Sequence, residues 1–128
     1  MQIDITKIIA AAQAGGEVLK KYFGQTLVVT EKSMAADFKT IADLESEKAI
    51  LGILKKKFPA FDINSEESGK TDTGSEYVFA VDPLDGTNNF VLGIPNFTVS
   101  IGLLKGNEVV AAVVYNPILN ETYSAQKG

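Results

Sequence analysis

The chain has 128 residues, of which 45% are hydrophobic and 22% charged, and its formal net charge is −4. This composition is ordinary for one soluble globular domain with a single core, and no apolar run is long enough to span a membrane. Without cysteine or histidine, the chain has no disulfide, no thiolate and no imidazole base, and its 12 cationic residues are all lysines. We therefore expect a cytoplasmic protein that has neither a membrane nor a nucleic-acid partner.

The first half of the chain has the hydrophobic periodicity of two helices. A single apolar stripe predicts a helix over residues 4–23, with Asp4 as its N-cap and Gly24 just past its end. Gly15 and Gly16 weaken the middle of this helix, which indicates close packing against a flat neighbour. The segments that follow are predicted to be a short β-like stretch, a polar loop and a second helix: 27–30, 31–40 and 41–57.

The second half has the pattern of strands separated by turns. Gly106 and Asn107 are typical of a hairpin turn, and most neighbouring strands are expected to be antiparallel. Two helices followed by a run of strands predict an α+β fold, with both helices on one face of a mainly antiparallel sheet. No helix follows the last strand, so the other face would lack cover from this chain. The predicted strands are 61–65, 77–81, 97–105, 108–115 and 122–126.

Acidic residues are concentrated at the ends of predicted strands. Glu66 and Glu67 follow the first strand, Asp82 and Asp85 follow the apolar strand 77–81, and Asp43 lies in the first turn of the second helix. For Asp82, a solvated turn acid and a functional ligand are both open interpretations on composition alone, because Asp-Pro and Asp-Gly pairs are common in turns. The acids interpreted as solvated loop residues are Asp62, Asp72 and Glu76.

Carboxylates that converge in a fold need a shared proton or a cation between them. Two carboxylates about 4 Å apart repel by roughly 4 kcal/mol at an effective dielectric constant of 20. Oxygen ligands without histidine or cysteine favour Mg²⁺, Mn²⁺ or Ca²⁺. Asp82 and Asp85 are separated by a proline-constrained turn, so both can face one point, and Thr87 is a candidate cap for a short helix over 86–91. Such a helix start beside a cation is suited to a phosphate group.

The acids lie within a motif of a known family. The string DPLDGTNNF (82–90) resembles the signature of the inositol monophosphatase family, which are Mg²⁺-dependent, lithium-sensitive phosphatases. Other segments similar to the family are EES (66–68), KSMAADFKTIAD (32–43) and NFTVSIGLLKGNEVVAAVVYNPILNETYSAQKG (96–128). The resemblance therefore covers nearly the whole chain. It implies that residues 1–128 are the N-terminal half of a layered αβαβα sugar-phosphatase fold, whose C-terminal α/β half is absent from this chain.

The resemblance also implies a set of metal ligands. Glu67, Asp82 and the Leu84 carbonyl resemble the ligands of a first metal. Asp82 would bridge to a second metal, which Asp85 also binds. Glu66, the neighbouring acid, ranks below Glu67. The implied cofactor is Mg²⁺, as two or three ions, with Mn²⁺ as an alternative.

Catalytic and substrate-binding roles follow from the same comparison. Asp43 and Thr87 resemble the pair that orients the attacking water, and Glu67 is the third candidate catalytic residue. Lys32 lies in what resembles a mobile loop over the site, although a solvated surface lysine is an equally good interpretation. The residues that resemble the substrate-binding group, including a phosphate cradle of backbone amides, are Asp85, Gly86 and Thr87.

The implied activity is hydrolysis of a small phosphate monoester by two-metal-assisted direct attack of water. Inositol monophosphate is the expected substrate, and relatives that act on fructose 1,6-bisphosphate or 3′(2′),5′-bisphosphate nucleotides are alternatives. A rival of another class is a non-catalytic, metal-binding fragment. We expect the chain alone to have little or no activity and to form a homodimer or a larger assembly.

Overall fold

Two long helices lie against one face of a six-stranded sheet in the computed structural model, which describes residues 2–29 and 31–128. The helices are α1 (Ile5–Thr26), α2 (Lys32–Lys57) and the short α3 (Thr87–Leu92). The strands are β1 (Asp62–Ser65), β2 (Gly69–Lys70), β3 (Tyr77–Asp85), β4 (Thr98–Lys105), β5 (Glu108–Asn116) and β6 (Glu121–Gln126). Among these described segments, no helix has both the length and the apolarity to cross a membrane.

The sheet has the strand order β2-β1-β3-β4-β5-β6. Of the strand pairs in the described part of the chain, β1 with β3 is parallel and the other four are antiparallel, so the expected α+β fold with a mainly antiparallel sheet is confirmed. The parallel pair matters for function because it brings the ends of two strands to the same edge of the sheet. Glu66 and Glu67 follow the end of β1, and Asp82 lies near the end of β3.

Helix α1 begins where the sequence predicts and ends later. Asp4 is the N-cap, and its carboxylate accepts a hydrogen bond from the Thr6 backbone N–H at 3.1 Å. The helix continues to Thr26, so Gly24 lies within its last turn and is not its terminator. The predicted β-like stretch 27–30 is wrong for residues 27–29, which form a turn, and its last residue, Thr30, lies outside the described part of the chain.

Helix α2 corrects the prediction of a loop at 31–40. The helix begins at Lys32, and residues 32–57 are continuous because no proline interrupts them and alanine, lysine and methionine favour helix. Asp43 consequently lies in the interior of α2 and not in its first turn, where it was predicted to lie. Lys55, Lys56 and Lys57 lie in the last turn, where positive charge favours the helix dipole.

The adjacent glycines of α1 allow the helix to fit between α2 and the sheet. A Cβ atom on Gly15 would lie 2.7 Å from the Ile50 side chain and 2.8 Å from the Ser46 hydroxyl. A Cβ atom on Gly16 would lie 2.3 Å from the Tyr115 ring. Both positions are therefore restricted to glycine by close packing, as the sequence predicts.

The core lies between the helices and one face of the sheet. Alternate residues of the central strands point into this core, and the intervening residues face the opposite side, which we call the open face. One row of small residues crosses the open face, because Ala80, Gly102, Ala112 and Ala125 occupy successive paired positions. The largest fully buried side chains include Ile8, Leu19, Ile50, Leu54, Phe79, Phe90, Phe97, Ile101 and Leu103.

Candidate active site

A β-bulge at the end of β3 brings two aspartates to the same side of the sheet. Asp82 pairs with Ser100 and Asp85 with Thr98, so three steps along β3 match two steps along β4. Without this extra residue, the strict alternation of a strand would direct the two aspartates to opposite faces. Pro83 and Leu84, within the bulge, are both buried.

The bulge is fixed by two polar contacts. The Ser46 hydroxyl of α2 donates a hydrogen bond to the Pro83 carbonyl at 2.9 Å, and this contact is buried. The Leu84 backbone N–H donates to the Asp82 carboxylate at 3.3 Å. Asp82 and Glu66 together line an open cavity of about 430 Å³ on the open face. One acid from the end of each parallel strand therefore lines the same cavity.

The turn that carries Glu66 and Glu67 is held by Glu47 of α2. The Glu47 carboxylate accepts hydrogen bonds from the backbone N–H groups of Glu67 and Ser68, each at 3.1 Å, and from the hydroxyl groups of Ser65 and Ser68. Burial would raise the pKa of Glu47, but these hydrogen bonds outweigh that effect and lower the pKa below its ordinary value. Glu47 thus remains ionised in a buried position.

Asp43 is the most deeply placed acid of the candidate site. Its side chain is 2% exposed, and one oxygen lies 3.7 Å from the Lys39 ammonium group. The other oxygen, Oδ1, is buried and has no hydrogen-bond partner. Asp43, Glu66 and Glu67 each offer a carboxylate oxygen, and these oxygens lie within 4.8 Å of one another.

The electrostatics of the site are those of acids that are crowded together. The pKa of Asp43 is raised to about 6, first by burial and then by the charges of Glu66, Glu67 and Asp82. The Lys39 ammonium opposes this rise. The pKa of Glu66 is raised by burial and then by the Asp82 charge, and burial also raises the pKa of Asp82 itself. The cluster would lose this mutual repulsion if a cation lay among its oxygens.

These donors fit a hard divalent cation. Every ligand candidate is an oxygen, which is the ligand type that Mg²⁺, Mn²⁺ and Ca²⁺ prefer. The Asp43 Oδ1 atom supplies the sharpest indication, because a buried carboxylate oxygen without a partner is costly unless something charged or hydrogen-bonding meets it. The three-acid cluster described above is where such an ion would bind.

The start of α3 lies beside the aspartates. Gly86 has a φ of +96°, and a Cβ atom on it would lie 3.1 Å from the Asn96 carbonyl oxygen, so this turn requires glycine. Thr87 is the first residue of α3, and Gly86 occupies the N-cap position predicted for Thr87. The helix is anchored by Phe90, which is fully buried, and it packs against α2.

Two sequence interpretations fall outside the cluster. Lys32 is exposed at the start of α2, and the cavity that it lines includes Val91 and Leu92 but none of the acids of the site. Asp62 was predicted to be a solvated loop acid, and this is wrong: it is 2% exposed and accepts hydrogen bonds from the loop that follows β2, including one from the Thr73 backbone N–H at 2.9 Å. Its place at the start of β1 explains its burial.

Sequence reasoning missed the roles of Ser46 and Glu47. The signal that could have found them is spacing, because both lie one helical turn from Asp43 and one turn before the buried Ile50. Polar residues on the core-facing side of a helix are expected to have buried partners. A larger cavity, of about 710 Å³, lies elsewhere, next to Tyr77 and Lys105, and the three-acid cluster is not part of it.

A two-helix layer on a mainly antiparallel sheet, with acids gathered at the ends of its parallel strands, is an α+β fold with a candidate metal site. The sequence model of the inositol monophosphatase family matches residues 2–128. The chain therefore belongs to this family, which is a family of phosphatases. The expected family membership is thereby confirmed.

Individual relatives agree with this assignment. The chain is 41% identical to a fructose-1,6-bisphosphatase/inositol-1-monophosphatase of Aquifex aeolicus, over 98% of this chain and 47% of that protein. It is 40% identical to an inositol-1-monophosphatase of Caulobacter vibrioides, over 94% of this chain and 48% of that protein. The crystal structure of extragenic suppressor protein suhB from Bartonella henselae superposes with a TM-score of 0.85 at 38% identity, over 97% of this chain and 48% of that one. The chain therefore spans about half the length of the relatives it matches.

Proposed function

We propose that this chain carries the metal-binding part of an enzyme that hydrolyses a small phosphate monoester, with inositol monophosphate as the first candidate substrate. Mg²⁺ is the proposed cofactor, and Mn²⁺ is the alternative. The observation that carries the proposal is the buried Asp43 Oδ1 atom without a partner, within a cluster that also contains Glu66 and Glu67. Membership of a phosphatase family supports the reaction class.

The proposed ligands come from three segments, which are α2, the turn after β1 and the end of β3. Asp43, Glu66 and Glu67 offer converging oxygens, and Asp82 lies next to Glu66. Asp85 reaches the same side of the sheet through the bulge and is proposed as a ligand on this basis, with the Leu84 carbonyl beside it. When bound, Mg²⁺ would supply Lewis-acid activation of the phosphate and of water.

The residues of the chain would contribute positioning and proton acceptance. Asp43 and Thr87 are proposed to orient the attacking water, and the carboxylate of Asp43 would accept a proton from it. Gly86 and Thr87 are proposed to face the phosphate with their backbone N–H groups. As the family resemblance implies, hydrolysis is proposed to be a single displacement by water, without a covalent phospho-enzyme.

Metal titration tests the proposal directly. We expect calorimetry of metal-free protein to show Mn²⁺ binding in the wild type and a large loss of heat in Asp82→Asn, because this change removes a charge and leaves the shape of the side chain. Glu76→Gln, at an exposed acid outside the cluster, is the matched control and should bind as the wild type does. Equal heats for the wild type and Asp82→Asn would contradict the ligand assignment.

Phosphate release identifies the substrate. We expect slow release from inositol 1-phosphate in saturating Mg²⁺, because the chain spans about half the length of its relatives and part of the site is proposed to lie in the other half. Fructose 1,6-bisphosphate is the second substrate to compare, since the Aquifex relative carries both names. Metal binding without release from any phosphate ester would favour the rival function of a non-catalytic metal-binding unit.

A further inference from the structure

Glu47 is a buried acid for which the proposed reaction has no use. It is 4% exposed, and it is in neither of the two ion pairs found among residues 2–29 and 31–128. Both of its oxygens accept hydrogen bonds, one from three donors and the other from the Ser68 hydroxyl at 2.9 Å. Because these donors already engage both oxygens, Glu47 is poorly suited to be a metal ligand itself.

The donors to Glu47 all come from one short segment. They are the Ser65 hydroxyl, the backbone N–H groups of Glu67 and Ser68, and the Ser68 hydroxyl. This segment, residues 65–68, carries the acids Glu66 and Glu67. Glu47 therefore fixes the backbone from which the two candidate ligands project. Two of its contacts are to backbone N–H groups, so substitution of the Glu66 or Glu67 side chain would leave them in place.

The position of Glu47 on α2 gives this contact its significance. Asp43 and Glu47 are four residues apart on one helix, so their Cα atoms are separated by about 6 Å along the helix axis and lie on the same face. The acid at one position belongs to the cluster, and the acid at the other holds the turn that supplies the rest of the cluster. One turn of α2 thus sets the distance between Asp43 and its partner acids.

Such a tether is needed because the three clustered acids repel one another. Their oxygens lie within 4.8 Å, and an untethered turn in the metal-free protein would move away from Asp43 to relieve that repulsion. We propose that Glu47 is a positioning residue of the metal site, which holds the Glu66–Ser68 turn against α2 so that the ligands are in place before the ion binds. This inference rests on the proposed function of the site as a metal centre.

Two substitutions separate positioning from charge. Glu47→Gln keeps the length of the side chain and an oxygen that can accept the three shared hydrogen bonds, and its amide can donate to the Ser68 hydroxyl. Glu47→Asp keeps the charge but is one methylene shorter and cannot reach the same donors. If Glu47 positions the turn, Mn²⁺ affinity should stay within about threefold in Glu47→Gln and fall by about tenfold or more in Glu47→Asp.

The experiment measures Mn²⁺ affinity by calorimetry at a temperature where circular dichroism shows each variant to be folded. Glu45→Gln removes a charge from the exposed side of the same helix and should bind as the wild type does. Hydrogen exchange in the metal-free protein supplies a second readout. The Glu67 and Ser68 amides should exchange about tenfold faster in Glu47→Asp and nearly unchanged in Glu47→Gln.

The possible outcomes separate the two claims. Weak binding by Glu47→Gln with full binding by Glu47→Asp would show that charge matters and would overturn the positioning role. Mn²⁺ affinity and amide exchange equal to those of the wild type in both variants would also overturn the positioning role, while leaving the proposed metal site intact. A wild-type protein that takes up no Mn²⁺ would contradict the proposed function, and the positioning role would be lost with it.

Discussion

Asp43 combines burial with an unpartnered oxygen, and this makes it sensitive to pH. Its pKa is about 6 in the folded chain, against an ordinary value of 3.8. Well below about pH 4 the carboxyl group is protonated in both the folded and the unfolded state. As the pH rises from about 4 to 6, the unfolded chain releases the proton first, so the free energy of unfolding falls and then levels off above the folded pKa.

We therefore expect Asp43→Asn to stabilise the metal-free protein in a pH-dependent manner. The gain in unfolding free energy should be largest at pH 7–8, at about 1–2 kcal/mol after allowance for solvent screening, and smallest near pH 4. Urea unfolding of both proteins at several pH values, in the presence of a chelator, measures the difference. A gain that does not vary with pH would assign the effect to packing and not to the carboxylate charge.

Glu66 and Glu67 are adjacent but have different surroundings. Glu66 lines the open cavity together with Asp82, and the charge of Asp82 raises its pKa. Glu67 is instead tied through its backbone N–H to Glu47. We expect Glu66→Gln and Glu67→Gln both to weaken Mn²⁺ binding, and Glu66→Gln to weaken it more. Calorimetry on the two isosteric variants decides which acid contributes more to Mn²⁺ binding. A larger loss of affinity in Glu67→Gln would favour Glu67 over Glu66 as the ligand, which is the ranking that the family resemblance implies.

At the level of elements, the contact of α1 with the sheet depends on a missing side chain. A Cβ atom at Gly16 would overlap the Tyr115 ring at 2.3 Å, and this ring is itself buried in β5. We expect Gly16→Ala to lower the unfolding free energy by about 1–3 kcal/mol, because overpacking forces the helix or the ring to shift. Urea unfolding monitored by circular dichroism measures the loss.

Gly52 supplies the opposite test on the neighbouring helix. It lies inside α2, it is exposed, and a Cβ atom there would meet nothing within 4 Å. Gly52→Ala should therefore raise the unfolding free energy by about 0.5–1 kcal/mol, since alanine favours helix over glycine. If both glycine variants changed stability in the same direction, the distinction between a packed and a free position would be wrong.

The elements were predictable where periodicity is strong and less so where the chain is polar. The strands of β3 to β6 and the course of α1 follow their hydrophobic patterns closely. Residues 31–40 were predicted to form a loop because they are polar, yet residues 32–40 form the first turns of α2, since a helix that packs on one side tolerates polar residues on the others. Asp62 was misassigned because its partners are in a loop, where sequence patterns are weakest.

The acids of the site were predictable as candidates, but their arrangement was not. The Asp82–Asp85 pair stands out because it follows an apolar strand, and the family motif extends to it. The bulge that directs both side chains to one face depends on the pairing of β3 with β4, which local sequence does not determine. Glu47 depends in the same way on the contact between α2 and the turn after β1.

At the scale of the whole molecule, the helices of residues 2–29 and 31–128 cover one face of the sheet and leave the other open. The open face carries the row of small residues and, at one end, the cavity that Glu66 and Asp82 line. At the other end it carries Val78 and Leu104, which are paired across β3 and β4. An apolar sheet face that is accessible to solvent favours association with another surface, and β6 adds an exposed strand at the sheet edge.

We expect the chain to self-associate through the open face. Leu104→Lys places a charge on that face, away from the acids, and burying it in an interface would be costly, so the dissociation constant should rise by about tenfold or more. Leu44→Lys is the matched control, because Leu44 is an exposed leucine of α2 in the helical layer, on the opposite side of the sheet. Sedimentation velocity over a range of concentrations measures both. A wild-type chain that stays monomeric at about 100 µM, or equal effects of the two substitutions, would show that the open face does not drive association. Weaker association in Leu104→Lys alone would place the interface on the open face.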